Sequence, residues 1–268
     1  MFSREKFKEL WSSIKRIPLR YIIAVCSAVV ALICIVFIIS FYNRPDGMDE
    51  IRDVISSFDT TADDDEDIVG EDIKLIMNFD ELESINPDIY AWITIPGTKV
   101  DYPILQCKDD ENFYLTHDAQ KNESAYGAIY TQSYNKDDFS DFNTVIYGHN
   151  MRNGSMFGDL DKYRKEDFFN KNQDIYIYQP DRTLQYRIFA AYTFDDTHIM
   201  LDYNFDIMAQ RIEYVDSIYS GEFKGNILKE PRIFASDKII TLSTCLNNID
   251  DQRFIVQGVL IADSSKPD

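Results

Sequence analysis

The chain has 268 residues, of which 45% are hydrophobic and 14% aromatic, so it can bury one substantial core. Its formal net charge of −19 argues against nucleic acid as a partner, because an acidic surface repels phosphates. Acidity that keeps an exported domain soluble is the simpler explanation.

Residues 21 to 42 form an uncharged apolar segment, YIIAVCSAVVALICIVFIISFY. As a helix rising about 1.5 Å per residue it spans a hydrocarbon layer of about 30 Å, so we expect a single-pass transmembrane signal anchor here. A cleaved signal peptide is the alternative, but its apolar region should measure only about 7 to 15 residues. Residues 1 to 20 carry six basic and two acidic side chains, which predicts a cytoplasmic tail and an extracellular remainder.

Residues 43 to 83 are expected to form a linker and N-terminal helices. Apolar residues recur at spacings of three and four over residues 48 to 58 and again over residues 73 to 82, which favours two short helices. The acidic stretch at residues 59 to 70 lacks the ligand spacing of a calcium loop, so we interpret it as a connection.

Residues 84 to 268 have the pattern of one catalytic domain built mainly from β-strands. Helices are predicted at residues 155 to 171 and 205 to 220. Many short strands with few helices favour a closed or nearly closed β-barrel over a parallel α/β sheet. Eight short β-rich runs are separated by turn signals, at residues 89–95, 99–106, 127–132, 143–149, 173–180, 183–194, 237–245 and 253–262.

Four cysteines are present, and Cys26 and Cys34 lie in the apolar N-terminal segment. Only Cys107 and Cys245 belong to the outer domain, which does not indicate a disulfide framework and suits an exported protein of a single-membrane bacterium. We expect Cys107 to pack as a small apolar group.

Cys245 ends the apolar run KIITLSTC and precedes a polar turn, and His149 similarly ends a strand that enters a loop rich in glycine and asparagine. An imidazole can stabilise a nucleophilic thiolate and later protonate a departing amine. A buried structural cysteine is the competing interpretation. The other histidines, His117 and His198, lack such a setting and are interpreted as surface residues.

Arg253 opens the strand that follows Cys245, so a hairpin between these strands would return its guanidinium to the thiol. A permanently charged donor there can stabilise an oxyanion. The alternative is an ion pair of Arg253 with Asp250 or Asp251.

These motifs resemble those of the sortases. TLSTC followed closely by an arginine, and YGHN about a hundred residues earlier, carry the resemblance. NPDIYAWITIPGTKVDYPILQ and NTVIYGHNMRNGSMFGDL are similar to class B sortases, with the likeness covering about residues 84 to 262. The resemblance implies an eight-stranded sortase-type barrel preceded by N-terminal helices, with a long helix between the sixth and seventh predicted strands. A pilus-building class C sortase is expected to have a second, C-terminal span, and the chain ends instead with IADSSKPD.

By this resemblance the protein is a cysteine transpeptidase that needs no cofactor or metal. Cys245 would cleave a Thr–Gly or Thr–Asn bond in the C-terminal sorting motif of a secreted protein. The acyl group would pass to an amine of a peptidoglycan precursor, with His149 as acid and base and Arg253 as oxyanion stabiliser. Ser243, Thr244 and Leu115 are expected to contact the substrate.

Three alternatives stay open on the sequence. The same residues could serve a hydrolytic cysteine protease or a pilin-polymerising sortase. A membrane-tethered binding module, in which the three residues meet by accident, is the alternative from another class of protein.

Overall fold

The computed structural model describes residues 18–42, 48, 51, 78–246 and 249–265. Contacts divide the chain into two compact units, Met1–Pro45 and Asp46–Asp268. In the first unit, helix α1 runs over Leu19–Tyr42. Counting only what the structure describes, no helix is long and apolar enough to cross a membrane. The transmembrane anchor predicted at residues 21 to 42 is therefore not confirmed.

In the second unit, helix α2 (Phe79–Ile85) is short and capped at both ends. The side chain of Asn78 accepts a hydrogen bond from the backbone of Glu81, and the backbone N–H of Asn86 closes the last turn. The earlier part of this predicted helix, the predicted linker at residues 59 to 70 and most of residues 48 to 58 lie outside the described residues. Met48 and Ile51, which are described, are buried in the core.

The second unit is organised around a β-barrel. Its sheet has the order β5-β1-β2-β3-β4-β8-β9-β6-β7, and β5 also pairs with β6. That extra pairing closes eight strands into a ring, while β7 pairs with the second half of β6. The described strands are β1 (Ile89–Thr94), β2 (Asp101–Leu105), β3 (Ile129–Thr131), β4 (Asn143–Tyr147), β5 (Asp174–Gln179), β6 (Arg182–Asp195), β7 (Lys224–Ile227), β8 (Ile239–Leu246) and β9 (Ile249–Asp263).

The barrel of eight strands was predicted from the sequence, whereas β7 was not. Strand β7 has no fully buried residue, so it lacks the apolar signal of the other strands. Backbone pairing with Ala190–Thr193 holds it in place. A Cβ atom on Gly225 would lie 2.1 Å from the carbonyl oxygen of Ala191, so this close approach requires glycine.

Short helices fill the connections between strands. The predicted helix at residues 155 to 171 is two pieces, a 3-10 helix over Gly158–Arg164 and helix α3 (Glu166–Lys171). Lys165 separates them because its backbone is extended. Helices α4 (Ile199–Asp202) and α5 (Met208–Tyr219) lie between β6 and β7, and α5 corresponds to the helix predicted at residues 205 to 220.

Two apolar clusters pack on opposite faces of the sheet. The first fills the barrel, and Cys107 packs against it as a small apolar group, as expected. The second lies between the sheet and α5, where Val215 and Ile218 are buried. Strand β8 contributes to both clusters, because Ile240 belongs to the first and Ile239 to the second.

Candidate active site

The parallel pairing of β4 with β8 aligns the ends of two distant segments. The last paired residues are Tyr147 and Ser243, and the backbone N–H of Gly148 donates to the Ser243 carbonyl at 3.2 Å. His149 and Cys245 each lie two residues beyond that last pair. Strand register thus places at one edge of the sheet two residues that are far apart in sequence.

The antiparallel pairing of β8 with β9 adds the third predicted residue. Cys245 is the register partner of Arg253, and Leu246 pairs with Ile249 where the hairpin turns. The hairpin expected from the sequence is therefore present. The side chains of Cys245, Asp250 and Asp251 lie outside the described part of the chain, so the proposed thiol geometry and the alternative ion pair stay predictions.

A groove of about 520 Å³ opens at this edge of the barrel. It is lined by every predicted site residue whose side chain is described, namely Leu115, His149, Ser243, Thr244 and Arg253. The structure therefore gathers these five residues around one cavity.

A backbone carbonyl orients the imidazole of His149. The Nε2 atom lies 2.7 Å from the carbonyl oxygen of Leu115, in the 3-10 turn Phe113–Leu115. Because a carbonyl can only accept, Nε2 must carry the proton, and Nδ1 is the ring atom left to exchange one. Gly127, at φ 58°, makes room for this arrangement, since a Cβ atom there would lie 3.0 Å from the His149 ring and 2.8 Å from the Leu115 oxygen.

Tyr147 adds a neutral phenol to the groove beside Arg253. Burial, followed by the neighbouring Tyr130, raises the pKa of Tyr147, while the positive charge of Arg253 acts in the opposite direction. The tyrosine therefore keeps its proton at physiological pH and places no negative charge next to the guanidinium.

The two residues before Cys245 are largely buried in the groove wall. Ser243 is 6% exposed and Thr244 is 2% exposed. The Oγ1 atom of Thr244 is buried and has no hydrogen-bond partner within the described part of the protein. The register partner of Thr244 is Phe254, whose side chain fills the barrel, so the Thr244 side chain lies on the barrel side of the strand.

Comparison with known proteins identifies the domain. A family model described as the Sortase domain matches residues 93–261. The chain belongs to the sortase family. Sortase B of Listeria monocytogenes is 35% identical over 189 residues, covering 68% of this chain and 73% of that protein. The resemblance to class B sortases seen in the sequence is confirmed.

Two solved class B sortases have the same fold. A Staphylococcus aureus sortase B–substrate complex aligns with a TM-score of 0.59 and 28% identity, covering 68% of this chain and 84% of that one. A Streptococcus pyogenes class B sortase involved in pilus biogenesis aligns with a TM-score of 0.60 and 31% identity, covering 69% of this chain and 98% of that one.

One groove residue of this sortase was misassigned from the sequence. His198 is not a surface histidine but lines the groove, where its Nε2 atom lies 2.8 Å from Oε1 of Gln132. Its Nδ1 atom is buried without a hydrogen-bond partner in the described residues. The polar sequence around His198 does not predict that the residue lines the groove. Its position depends on how the connection after β6 packs against the sheet.

His117, the third histidine, does not line the groove. It is half-buried, and its ring stacks on Phe113 with 4.0 Å between the centroids. Its Nδ1 atom contacts the carbonyl oxygen of Phe113 at 2.9 Å. The ring therefore packs locally on the turn that carries Leu115.

Proposed function

We propose that this class B sortase cleaves a C-terminal sorting motif of secreted proteins and joins them to an amine of the cell wall. The observation that carries the proposal is the register of three strands. It sets Cys245 beside Arg253 and places His149 and Cys245 equally far beyond the last β4–β8 pair. The related Staphylococcus aureus sortase B has been solved as a substrate complex, which supports a substrate-binding role for this fold.

In the first half of the reaction, the Cys245 thiolate attacks the carbonyl carbon of threonine in the motif. A C–S bond forms, and the carbonyl oxygen takes a negative charge that the Arg253 guanidinium stabilises. Collapse of this intermediate breaks the C–N bond. Nδ1 of protonated His149 gives its proton to the departing amine, and a thioester remains.

The second half reverses these roles. An amino group of the wall precursor attacks the thioester, and His149 accepts its proton at Nδ1. A new C–N bond forms and the C–S bond breaks, which regenerates the thiolate. Arg253 stabilises the second oxyanion at the same position, so one set of groups serves both steps.

Three groove residues are proposed to hold the motif. Leu115 is 42% exposed at the rim, while Ser243 and Thr244 form the buried wall beside the nucleophile. Leu115 offers an apolar contact from the opposite side.

Location at the cell membrane is part of the proposal. The support is the sequence of residues 21 to 42, which carries no charge, and the basic residues that precede it. In this arrangement residues 1 to 20 face the cytoplasm, and the barrel works outside the cell, where secreted proteins and wall precursors meet.

Polymerisation of pilins is a second candidate function. It is favoured by the similarity to the Streptococcus pyogenes class B sortase involved in pilus biogenesis. The chemistry is the same and only the acceptor differs, because an amine of a neighbouring pilin would replace the wall amine.

The decisive experiment incubates the full chain with peptides containing a Thr–Gly or Thr–Asn bond, with and without an amine acceptor. We expect mass spectrometry to detect ligated product only when the amine is present. Cys245→Ala should abolish both cleavage and ligation while circular dichroism stays unchanged, since alanine has no thiol to form the thioester. Cleavage that yields only hydrolysed peptide would assign a protease, and undiminished turnover by the variant would refute Cys245 as nucleophile.

A further inference from the structure

A second groove adjoins the catalytic groove. It has a volume of about 480 Å³ and lies between the β3–β4 connection and the segment from α4 to the start of α5. His198 and Ile199 line the catalytic groove, and the next two residues, Met200 and Leu201, line the second one. At the boundary the ring of Tyr134 meets the ring of His198 edge-on, with 5.3 Å between the centroids.

An aromatic wall, formed by Phe142, Tyr203 and Phe205, is one part of the lining of this second groove, whose other lining residues are mostly polar. Phe142 and Phe205 lie 5.1 Å apart between centroids, and Tyr203 stacks on Phe205 at 5.9 Å. The guanidinium of Arg211 lies 5.2 Å from the centre of the Phe142 ring and packs over it. Such a wall can hold an apolar side chain.

An unpaired amide also lines the second groove. Asn143 is fully buried, and its Oδ1 atom accepts a hydrogen bond from Thr241 at 2.8 Å. This sets the orientation of the Asn143 amide. The Thr241 hydroxyl accepts a hydrogen bond from Gln257 at 2.9 Å, so it donates its own proton to Asn143. The Nδ2 atom of Asn143 has no partner in the part of the chain that is described. It therefore offers a donor to a carbonyl oxygen of a ligand.

We propose that the second groove binds the part of the substrate polypeptide that flanks the sorting motif. This inference rests on the proposed function, because it extends the same substrate beyond the catalytic groove. An extended chain advances about 3.3 Å per residue, so about six residues reach about 20 Å past the motif. A polypeptide supplies both a backbone carbonyl for Asn143 and side chains for the aromatic wall, and it passes directly from one groove to the other.

The test compares three peptides on the full chain. One contains the motif alone, one adds six residues before the motif, and one adds six residues after it. We expect kcat/KM for one extended peptide to exceed that for the motif alone by about threefold to tenfold, the gain typical of one or two added contacts. The peptide that gains identifies the side of the motif that occupies the second groove.

A matched pair of variants tests whether the second groove causes the rise in kcat/KM for the extended peptide. Leu201 is 61% exposed at the second groove, so Leu201→Glu should keep the fold and the rate on the motif alone while removing the gain from extension. Ile212 is 49% exposed on α5 and is not among the groove's lining residues. Ile212→Glu adds the same charge and should preserve the gain.

Each other result overturns the inference. Equal kcat/KM for the three peptides in the wild type, or a gain that survives Leu201→Glu, shows that the flanking polypeptide does not bind there. A gain that appears only when the amine acceptor carries a glycan would reassign the groove to the acceptor. Failure of the wild type to process the motif peptide at all would instead refute the proposed function, and with it this extension.

Discussion

On one face of the β8–β9 hairpin, Leu242 and Phe254 fill the barrel with apolar side chains. On the other face, Gln257 sits in a chain of hydrogen bonds, since it donates to Thr241 at 2.9 Å and to Tyr214 of α5 at 2.8 Å. The same two strands thus carry an apolar interior face and an exterior face where polar residues lie among apolar ones such as Ile239 and Ile255. Toward Cys245, where the catalytic groove opens, the lining residues include polar ones.

The difference shows how one hairpin can both hold the fold and present the site. Alternation of side chains along a strand sends neighbouring residues to opposite faces. The interior can be close-packed for stability, and the exterior can keep polar groups for binding without disturbing it. We therefore expect substitutions on the two faces to separate stability from activity.

The comparison would be contradicted most strongly by a groove residue whose substitution unfolds the protein. His149→Ala should lower kcat/KM by about 10² to 10⁴, because the acid and base of the reaction is lost. The free energy of unfolding should change by less than about 1 kcal/mol, since the ring is only half-buried. Steady-state kinetics and denaturant titration measure the two effects.

His117→Ala is the matched control for that variant. His117 is also half-buried and contacts a backbone carbonyl of the same turn, but it does not line the groove. The His117→Ala variant should retain nearly the full kcat/KM of the wild type. A comparable loss of kcat/KM in both variants would show that the turn as a whole, and not the His149 imidazole, determines the rate.

The interior face should show the opposite behaviour. Leu242 is fully buried, so Leu242→Ala should lower the free energy of unfolding by about 2 to 5 kcal/mol through lost contacts and a cavity. The protein that remains folded should keep most of its kcat/KM. Thr241→Val on the exterior face removes the donor to Asn143 and one of the two acceptors of the Gln257 amide, and should cost less, about 1 to 3 kcal/mol. A larger cost for Thr241→Val would invert the comparison.

The smallest expected effect is the contribution of Tyr214 to the pH dependence of stability, which appears only at alkaline pH. Burial raises the pKa of Tyr214 from 10.0 to about 12, although its hydrogen-bonded neighbours act in the opposite direction. Because folding raises this pKa, the neutral phenol stabilises the folded state fully below pH 10, and that contribution is lost as the pH rises toward 12. Circular dichroism of wild type and Tyr214→Phe between pH 9 and pH 12 should show a weaker pH dependence in the variant. Identical curves would exclude Tyr214 as a contributor.

Much of the barrel and the site could be predicted because the same signal marks both. Apolar runs that end in polar turns identify β4 and β8, and the residues at their ends are His149 and Cys245. Strand β7 was not predicted because none of its residues is fully buried, so it lacks the apolar pattern of the other strands. His198 escaped because its place in the groove depends on how the connection after β6 packs, which local sequence does not encode.

The parallel pairing of β4 with β8 aligns the two strand ends at the site without help from the connection between β6 and β7, residues 196–223. Since register within the sheet fixes the base relative to the nucleophile, insertions, deletions or grafts in that connection can alter which polypeptides are selected without shifting the atoms that make and break bonds. Selectivity and chemistry are thereby separable modules, and exchanging this connection between relatives is a direct route to enzymes with new targets.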